Sequence, residues 1–237
     1  MKTIAITGAS GGIGRAIALL LSKHNVAIVA VGRDKNEIDR LCSDITSKGG
    51  VCSGYAADLG DYSAVEQLAQ QIKERGQIDW LINTIGWINE SGAIEDENEQ
   101  SIIKSFQSNI LAVVYLVKFF LPFLRRGGGI LTLSSTAGIS GNGKHSVYSA
   151  AKGAVNTFTQ AIARHIAPRD LASIAICPGP TNTLMREKIA HDAAKHQSPD
   201  VIAKLMLNIV EEKSKYKNGD IVTIKDGVDE LFSELTS

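Results

Sequence analysis

The chain has 237 residues, 44% of them hydrophobic, enough to bury a substantial core, and α/β chains of this length commonly fold as one domain. Its 25 basic and 25 acidic residues cancel, so no net field draws in nucleic acid or an anionic membrane, and a small soluble ligand is the expected partner. The N-terminus is glycine-rich where a secretory signal would be apolar, and the longest apolar stretch, Leu111 to Leu124, is broken by Lys118 and Pro122 and is too short to cross a bilayer.

Lys2 to Thr7 form a short β-type run that leads into Gly8-Ala9-Ser10-Gly11-Gly12-Ile13-Gly14, with a helix predicted over 13–24. Gly8 suits the tight turn off the strand. Gly12 lets backbone N–H groups approach a pyrophosphate, and Gly14 lets the helix pack close to the sheet. The anion then sits at a helix N-terminus, where unsatisfied N–H groups and the helix dipole favour negative charge. Further strands are predicted over 26–31, 51–56, 78–82, 129–134, 172–177 and 220–224. Helices are predicted over 35–48, 61–75, 98–124, 147–167 and 199–213. Runs such as Val26 to Val31 are nearly all apolar, as strands buried on both faces should be, and Trp80 reads as core. The repeated β-then-α order predicts a single doubly wound parallel sheet of about seven strands with helices on both faces, an α/β Rossmann fold spanning 1–237. Ligands bind such sheets beyond the carboxyl ends of the strands. Thr7 to Gly14, Arg33, Asp58, Asn83, Ser135 and Pro178 all fall there.

Three cysteines, Cys42, Cys52 and Cys177, are an odd number without metal spacing, so reduced thiols in a cytoplasm are expected. The five histidines are scattered, His191 and His196 have no acidic or thiol partner at a ligand spacing, and no metal site is expected.

The strongest chemical signal is Tyr148-Ser149-Ala150-Ala151-Lys152, which stacks a phenol and an ammonium on one helical face. A free tyrosine has a pKa near ~10, and a fixed cation close by favours the phenolate and draws that value down. Tyr148 could then exchange a proton with a substrate oxygen at neutral pH.

These features together resemble the short-chain dehydrogenase/reductase family over nearly the whole chain. The resemblance rests on Thr7-Gly8-x-x-x-Gly12-Ile13-Gly14, with Ser135, Tyr148 and Lys152 downstream. In that family the catalytic serine lies thirteen residues before the tyrosine, which selects Ser135 over Ser134. Asn109 matches the helix asparagine that completes a tetrad and holds a water linking the lysine to solvent. The resemblance implies that Asp58, followed by Leu59, touches the adenine. It also implies that Pro178, Gly179, Thr181 and Thr183 line the nicotinamide, and that the glycine loop, including Ser10, holds the phosphates. Lys152 would hold the nicotinamide ribose. The family's Asn-Asn-Ala-Gly reads here as Asn83-Thr84-Ile85-Gly86; Asn83 and Gly86 match, whereas Thr84 and Ile85 depart. Val228 stands where a second glycine is common.

The implied activity is NAD(P)(H)-dependent interconversion of a carbonyl and an alcohol, with Tyr148 as general acid/base, Ser135 polarising the carbonyl, and a 3-oxoacyl compound or another ketone as substrate. Two alternatives stay open: an NADP-binding regulator on the same fold, and an epimerase- or lyase-type relative. Residues 184–198 read as the substrate lid, with Arg186 and Lys188 able to meet an acidic substrate and Trp87 near the pocket. NAD sites commonly place a carboxylate ~20 residues past the glycine motif. Gly32, 18 residues past Gly14, offers none, and the Arg33 guanidinium suits a phosphate, so NADP(H) is expected over NAD(H). Asp34, which could neutralise Arg33, and Gly11, where such relatives often carry a second basic residue, weigh against it. The apolar run Ile110 to Val117 is wider than one buried stripe, and helices at 98–124 and 147–167 pair across two-fold axes in the family. A homodimer or homotetramer is therefore expected.

Overall fold

The computed structural model describes residues 1–89, 92–183, 196–225 and 228–231. In chain order it contains β1 (Lys2–Thr7), α1 (Gly12–Leu21), β2 (Val26–Gly32), α2 (Lys35–Thr46), β3 (Val51–Ala56), α3 (Tyr62–Lys73), β4 (Ile78–Asn83) and α4 (Glu99–Phe106). There follow α5 (Ala112–Phe120), β5 (Leu124–Leu133), α6 (Ala137–Ser140), α7 (Ser146–Ile166), β6 (Ala172–Pro178), α8 (Pro199–Glu211), β7 (Ile221–Lys225) and β8 (Val228–Leu231). The sheet order is β3-β2-β1-β4-β5-β6-β7-β8. The order reverses between β1 and β4, which opens a crevice at the carboxyl ends of these two strands.

Seven strands run parallel, as the alternation of elements predicts. β8 is an addition: Lys225 pairs with Val228 and Val222 with Leu231 in an antiparallel ladder at the sheet edge. The strand side chains alternate between two apolar layers. Ile4, Ile6, Ile28, Trp80 and Ile82 pack with Ile17 and Leu21 of α1, Ile38 and Leu41 of α2, and Met206 of α8. Ala5, Val29, Val31 and Leu81 pack with Val65 of α3, Leu116 and Phe120 of α5, and Val155 of α7.

The helix expected over 98–124 is divided. A π turn, Gln107–Leu111, separates α4 from α5, and Pro122 confines the end to a single tight turn, Leu121–Phe123, from which β5 departs at Leu124 rather than at 129. The whole run Glu99–Phe123 is long and apolar enough to cross a membrane by length and composition alone. Its buried residues Val113, Leu116, Val117 and Phe120 nevertheless pack against the sheet, as in a core helix.

The expectation of three reduced thiols is corrected. Cys42 and Cys52 form a disulfide with Cα atoms 5.1 Å apart, and Cys177 is free and buried. The contact depends on how α2 lies on β3. Gly54 carries no side chain where a Cβ would stand 2.6 Å from Ile38 Cγ2 and 3.4 Å from Cys42 Sγ, so the helix settles onto the strand. Cysteine usage therefore no longer argues for a reducing compartment.

Candidate active site

At the end of β1 the backbone turns at Gly8, whose φ of +71° lies in the left-handed region, and the Gly11 N–H donates to Gly8 O at 3.0 Å. Gly11 is the N-cap of α1, and no side chain caps the helix. The first-turn N–H groups, which have no intrahelical partner, therefore suit an anion. Gly14 must be glycine: a Cβ there would stand 2.2 Å from Gly8 O and 2.7 Å from Thr84 Oγ1. Gly12 faces the loop after β6, where its Cβ would lie 2.9 Å from Thr183 Cγ2, while Ile13 packs on the core. Thr84, one of the departures from the family pattern, donates its hydroxyl to Thr7 O at 2.8 Å and so ties the loop after β4 to the glycine turn.

After β2, Ser10 Oγ lies 3.2 Å from where a Gly32 Cβ would be, beside the exposed Arg33. Asp34 is committed to α2, its Oδ1 accepting the N–H groups of Asn36 at 2.8 Å and Glu37 at 3.3 Å. No ion pair joins it to Arg33 among the described residues. After β3, Asp58 is exposed and accepts the Gly60 N–H at 3.0 Å, while Leu59 is buried.

Asn83 is fully buried. Its Oδ1 accepts the Thr7 hydroxyl at 3.2 Å and its Nδ2 donates to Thr132 Oγ1 at 3.5 Å, so its side chain braces β1, β4 and β5 from within the sheet. The next contact brings three expected residues together. A Cβ on Gly86 would lie 3.0 Å from Asn109 Oδ1 and 3.4 Å from Lys152 Nζ. Asn109 sits in the π turn; its Nδ2 donates to Trp87 O at 2.7 Å and Ser105 O at 2.9 Å, and its Oδ1 accepts the Trp87 N–H at 3.1 Å. The amide thus fastens the Gly86-Trp87 backbone beside the lysine. Lys104 Nζ lies over the Trp87 ring, 4.7 Å from its centroid.

On α7, Lys152 is buried and its Nζ donates to Leu133 O at 2.9 Å and Ile85 O at 3.5 Å. The same nitrogen lies 5.8 Å from the centroid of the half-buried Tyr148 ring. Burial draws the Lys152 pKa down from 10.5 to about 8, with Cys177 pulling the other way. The two serines after β5 divide their tasks. Ser134 is buried and its hydroxyl donates to Lys152 O at 3.1 Å, whereas Ser135 is half-buried and its Oγ accepts the Ala137 N–H at 3.2 Å. Its proton remains available to a carbonyl oxygen.

Pro178 O accepts the Thr136 N–H at 3.1 Å. Thr181 donates its hydroxyl to Gly179 O at 3.0 Å and receives Gln197 Nε2 at 3.3 Å. Gln197, to which sequence reasoning gave no role, thereby ties the far end of the expected lid to the loop after β6; residues 184–195, with Met185, Arg186, Lys188 and His191, lie outside the described residues, as does Gly227. Thr84 and Gln197 are ordinary loop residues by sequence, and only the approach of distant segments gives them partners.

The sequence pattern of the short chain dehydrogenase family matches residues 2–194. A 3-oxoacyl-[acyl-carrier-protein] reductase, FabG, of Thermotoga maritima is 26% identical, over 96% of this chain and 97% of its own. An NADPH-dependent pterin aldehyde reductase of Arabidopsis thaliana is 29% identical over 94% and 93%. Among solved structures, a short chain dehydrogenase of Burkholderia cenocepacia in complex with NADP superposes with a TM-score of 0.88 at 26% identity, covering 94% of this chain and 96% of the other. With its glycine turn, its buried lysine beside a tyrosine and its sheet order, the chain belongs to the short-chain dehydrogenase/reductase family of oxidoreductases.

Proposed function

We propose that the protein is an NADP(H)-dependent reductase that interconverts a ketone and an alcohol, with a 3-oxoacyl-type compound as the leading substrate class. The observation that carries this reading is Lys152: a buried ammonium, held by two backbone carbonyls and set against the Tyr148 ring. With a pKa of about 8 it remains mostly protonated at neutral pH, and a desolvated cation favours the neighbouring phenolate.

A nicotinamide cofactor, when bound, would supply or accept the hydride at the carbonyl carbon. Tyr148 donates its proton to the carbonyl oxygen in reduction and recovers one from solvent; in oxidation it removes the hydroxyl proton. Ser135 donates a hydrogen bond to the same oxygen as negative charge develops there. Lys152 would hold the ribose hydroxyls and stabilises the phenolate, while Asn109 keeps the Gly86-Trp87 backbone against it. The uncapped start of α1, with Gly12 and Gly14 admitting close backbone approach, fits the pyrophosphate.

The preference for NADP(H) rests on the exposed Arg33, on Gly32 beside Ser10, which projects no carboxylate, and on Asp34, whose carboxylate is occupied by α2. The Arabidopsis relative named NADPH-dependent and the Burkholderia structure complexed with NADP support it. The 3-oxoacyl class is supported by the Thermotoga relative. The regulator reading is less favoured because Ser135, Tyr148 and Lys152 are all present in the chain, with Lys152 set against the Tyr148 ring. The protein assembles through the outer face of α4 and the π turn, where Ile103, Phe106 and Leu111 are exposed large apolar side chains.

A spectrophotometric scan with NADPH and NADH over 3-oxoacyl thioesters, other ketones, quinones and sugars tests the reading. Consumption of NADPH in the presence of a carbonyl is the expected result. Tight NADPH binding without turnover on any of these classes would favour the regulator instead.

A further inference from the structure

Asn156 lies one turn beyond Lys152 on α7, so Tyr148, Lys152 and Asn156 share a face at intervals of four residues. Its Nδ2 donates to Gly138 O at 3.1 Å, and its Oδ1 accepts the Cys177 thiol at 3.4 Å. These two partners belong to the two segments that adjoin Ser135. Gly138 belongs to α6, which begins two residues after Ser135, and Cys177 precedes Pro178, whose carbonyl accepts both the N–H and the hydroxyl of Thr136. α6 also rests directly on α7. A Cβ on Gly138 would stand 2.6 Å from the Lys152 carbonyl carbon and 2.8 Å from the Gly153 nitrogen.

We propose that Asn156 is a positioning residue that sets the Ser135 hydroxyl at its working distance from the Tyr148 phenol, an inference that rests on the catalytic reading above. Gly138 O sits inside a four-residue helix too short to offer it an intrahelical donor, and the buried thiol is a weak donor that the amide oxygen accepts. An amide supplies both from one side chain. Aspartate of the same size supplies only acceptors, and leucine of similar shape supplies neither. Burial lifts the Cys177 thiol to about 11, so it stays protonated and donating across the neutral range. One side chain on the catalytic helix therefore holds both the segment that follows Ser135 and the strand end beside it.

Asn156→Asp and Asn156→Leu test the proposal in the full chain. Misplacing reacting groups by about 1 Å can cost ~10²-fold, so kcat per active site should fall by about 10- to 100-fold while NADPH affinity is retained. The primary isotope effect with C4-deuterated NADPH should rise, because the transfer step becomes more fully rate-limiting. A merely structural role would lower the amount of folded enzyme but leave kcat per site, counted by NADPH titration, and the isotope effect where they were. Wild-type values of both in Asn156→Asp, which keeps the size of the side chain and the acceptor for Cys177, overturn the proposal even if Asn156→Leu fails to fold. Tyr148→Phe is assayed in parallel on the same substrate. An inactive Tyr148→Phe with an unaltered Asn156→Asp refutes the positioning role alone, whereas a fully active Tyr148→Phe refutes the catalytic assignment on which it rests.

Discussion

Lys152→Met, introduced into a Tyr148→Phe background, should change how stability depends on pH. In the folded chain burial draws the lysine from 10.5 to about 8. Below about 8 both the folded and the unfolded chain hold the proton, and the folded chain bears the full penalty of a buried charge. Between about 8 and 10.5 the folded chain has released the proton while the unfolded chain still binds it, so stability rises with pH across that window. Methionine does not titrate. The stability of the lysine protein relative to the methionine protein should therefore rise by about 2 kcal/mol between about pH 6.5 and about pH 9.5. The Tyr148→Phe background removes the phenol, and the Cys177 thiol at about 11 titrates above the range. Urea unfolding of both proteins at the two pH values measures the difference. A difference that does not move with pH would mean that the buried site leaves the ammonium at its ordinary pKa, and the electrostatic basis of the tyrosine assignment would fail with it.

Arg33→Ala should lower kcat/KM for NADPH by about 10- to 100-fold, the worth of charge-assisted hydrogen bonds, and leave NADH little changed; equal losses with both cofactors would remove the phosphate role. Gly14→Ala should destabilise the fold by about 1–3 kcal/mol and weaken cofactor binding, since its Cβ would meet Gly8 O at 2.2 Å; an unchanged urea midpoint would contradict that contact. Light scattering should show an assembly larger than the 25.3 kDa protomer, and Phe106→Asp should shift it toward the protomer mass. A wild-type chain that stays at 25.3 kDa at micromolar concentration would defeat the assembly through α4 and the π turn.

What the sequence revealed was whatever local pattern dictates. The glycine turn at the end of β1, the apolar strands, Trp80 in the core and the Tyr148–Lys152 face of α7 follow from turn chemistry and side-chain periodicity. The family resemblance selected Ser135 over Ser134; in the structure the Ser134 hydroxyl is buried and bonded to α7. What escaped depends on distant segments meeting. The π turn coincides with Asn109 bonding Ser105 O and the Trp87 backbone, and no propensity encodes that. The Cys42–Cys52 bridge needs α2 to lie on Gly54. Asn83 matches a family motif placed at the cofactor, yet its amide is bonded inside the sheet; Thr84, a departure from the same motif, is a brace between loops. β8 depends on pairing at a sheet edge with no periodic signal of its own.

The central claim is that Tyr148 moves the proton that accompanies hydride transfer. Single-turnover consumption of NADPH by wild type and by Tyr148→Phe, on a carbonyl substrate found in the scan and with NADPH affinity measured for both, tests it most directly. Loss of general acid assistance predicts a rate lower by ~10²–10⁴-fold in Tyr148→Phe with cofactor affinity retained. A Tyr148→Phe enzyme that consumes NADPH at the wild-type rate would contradict the account.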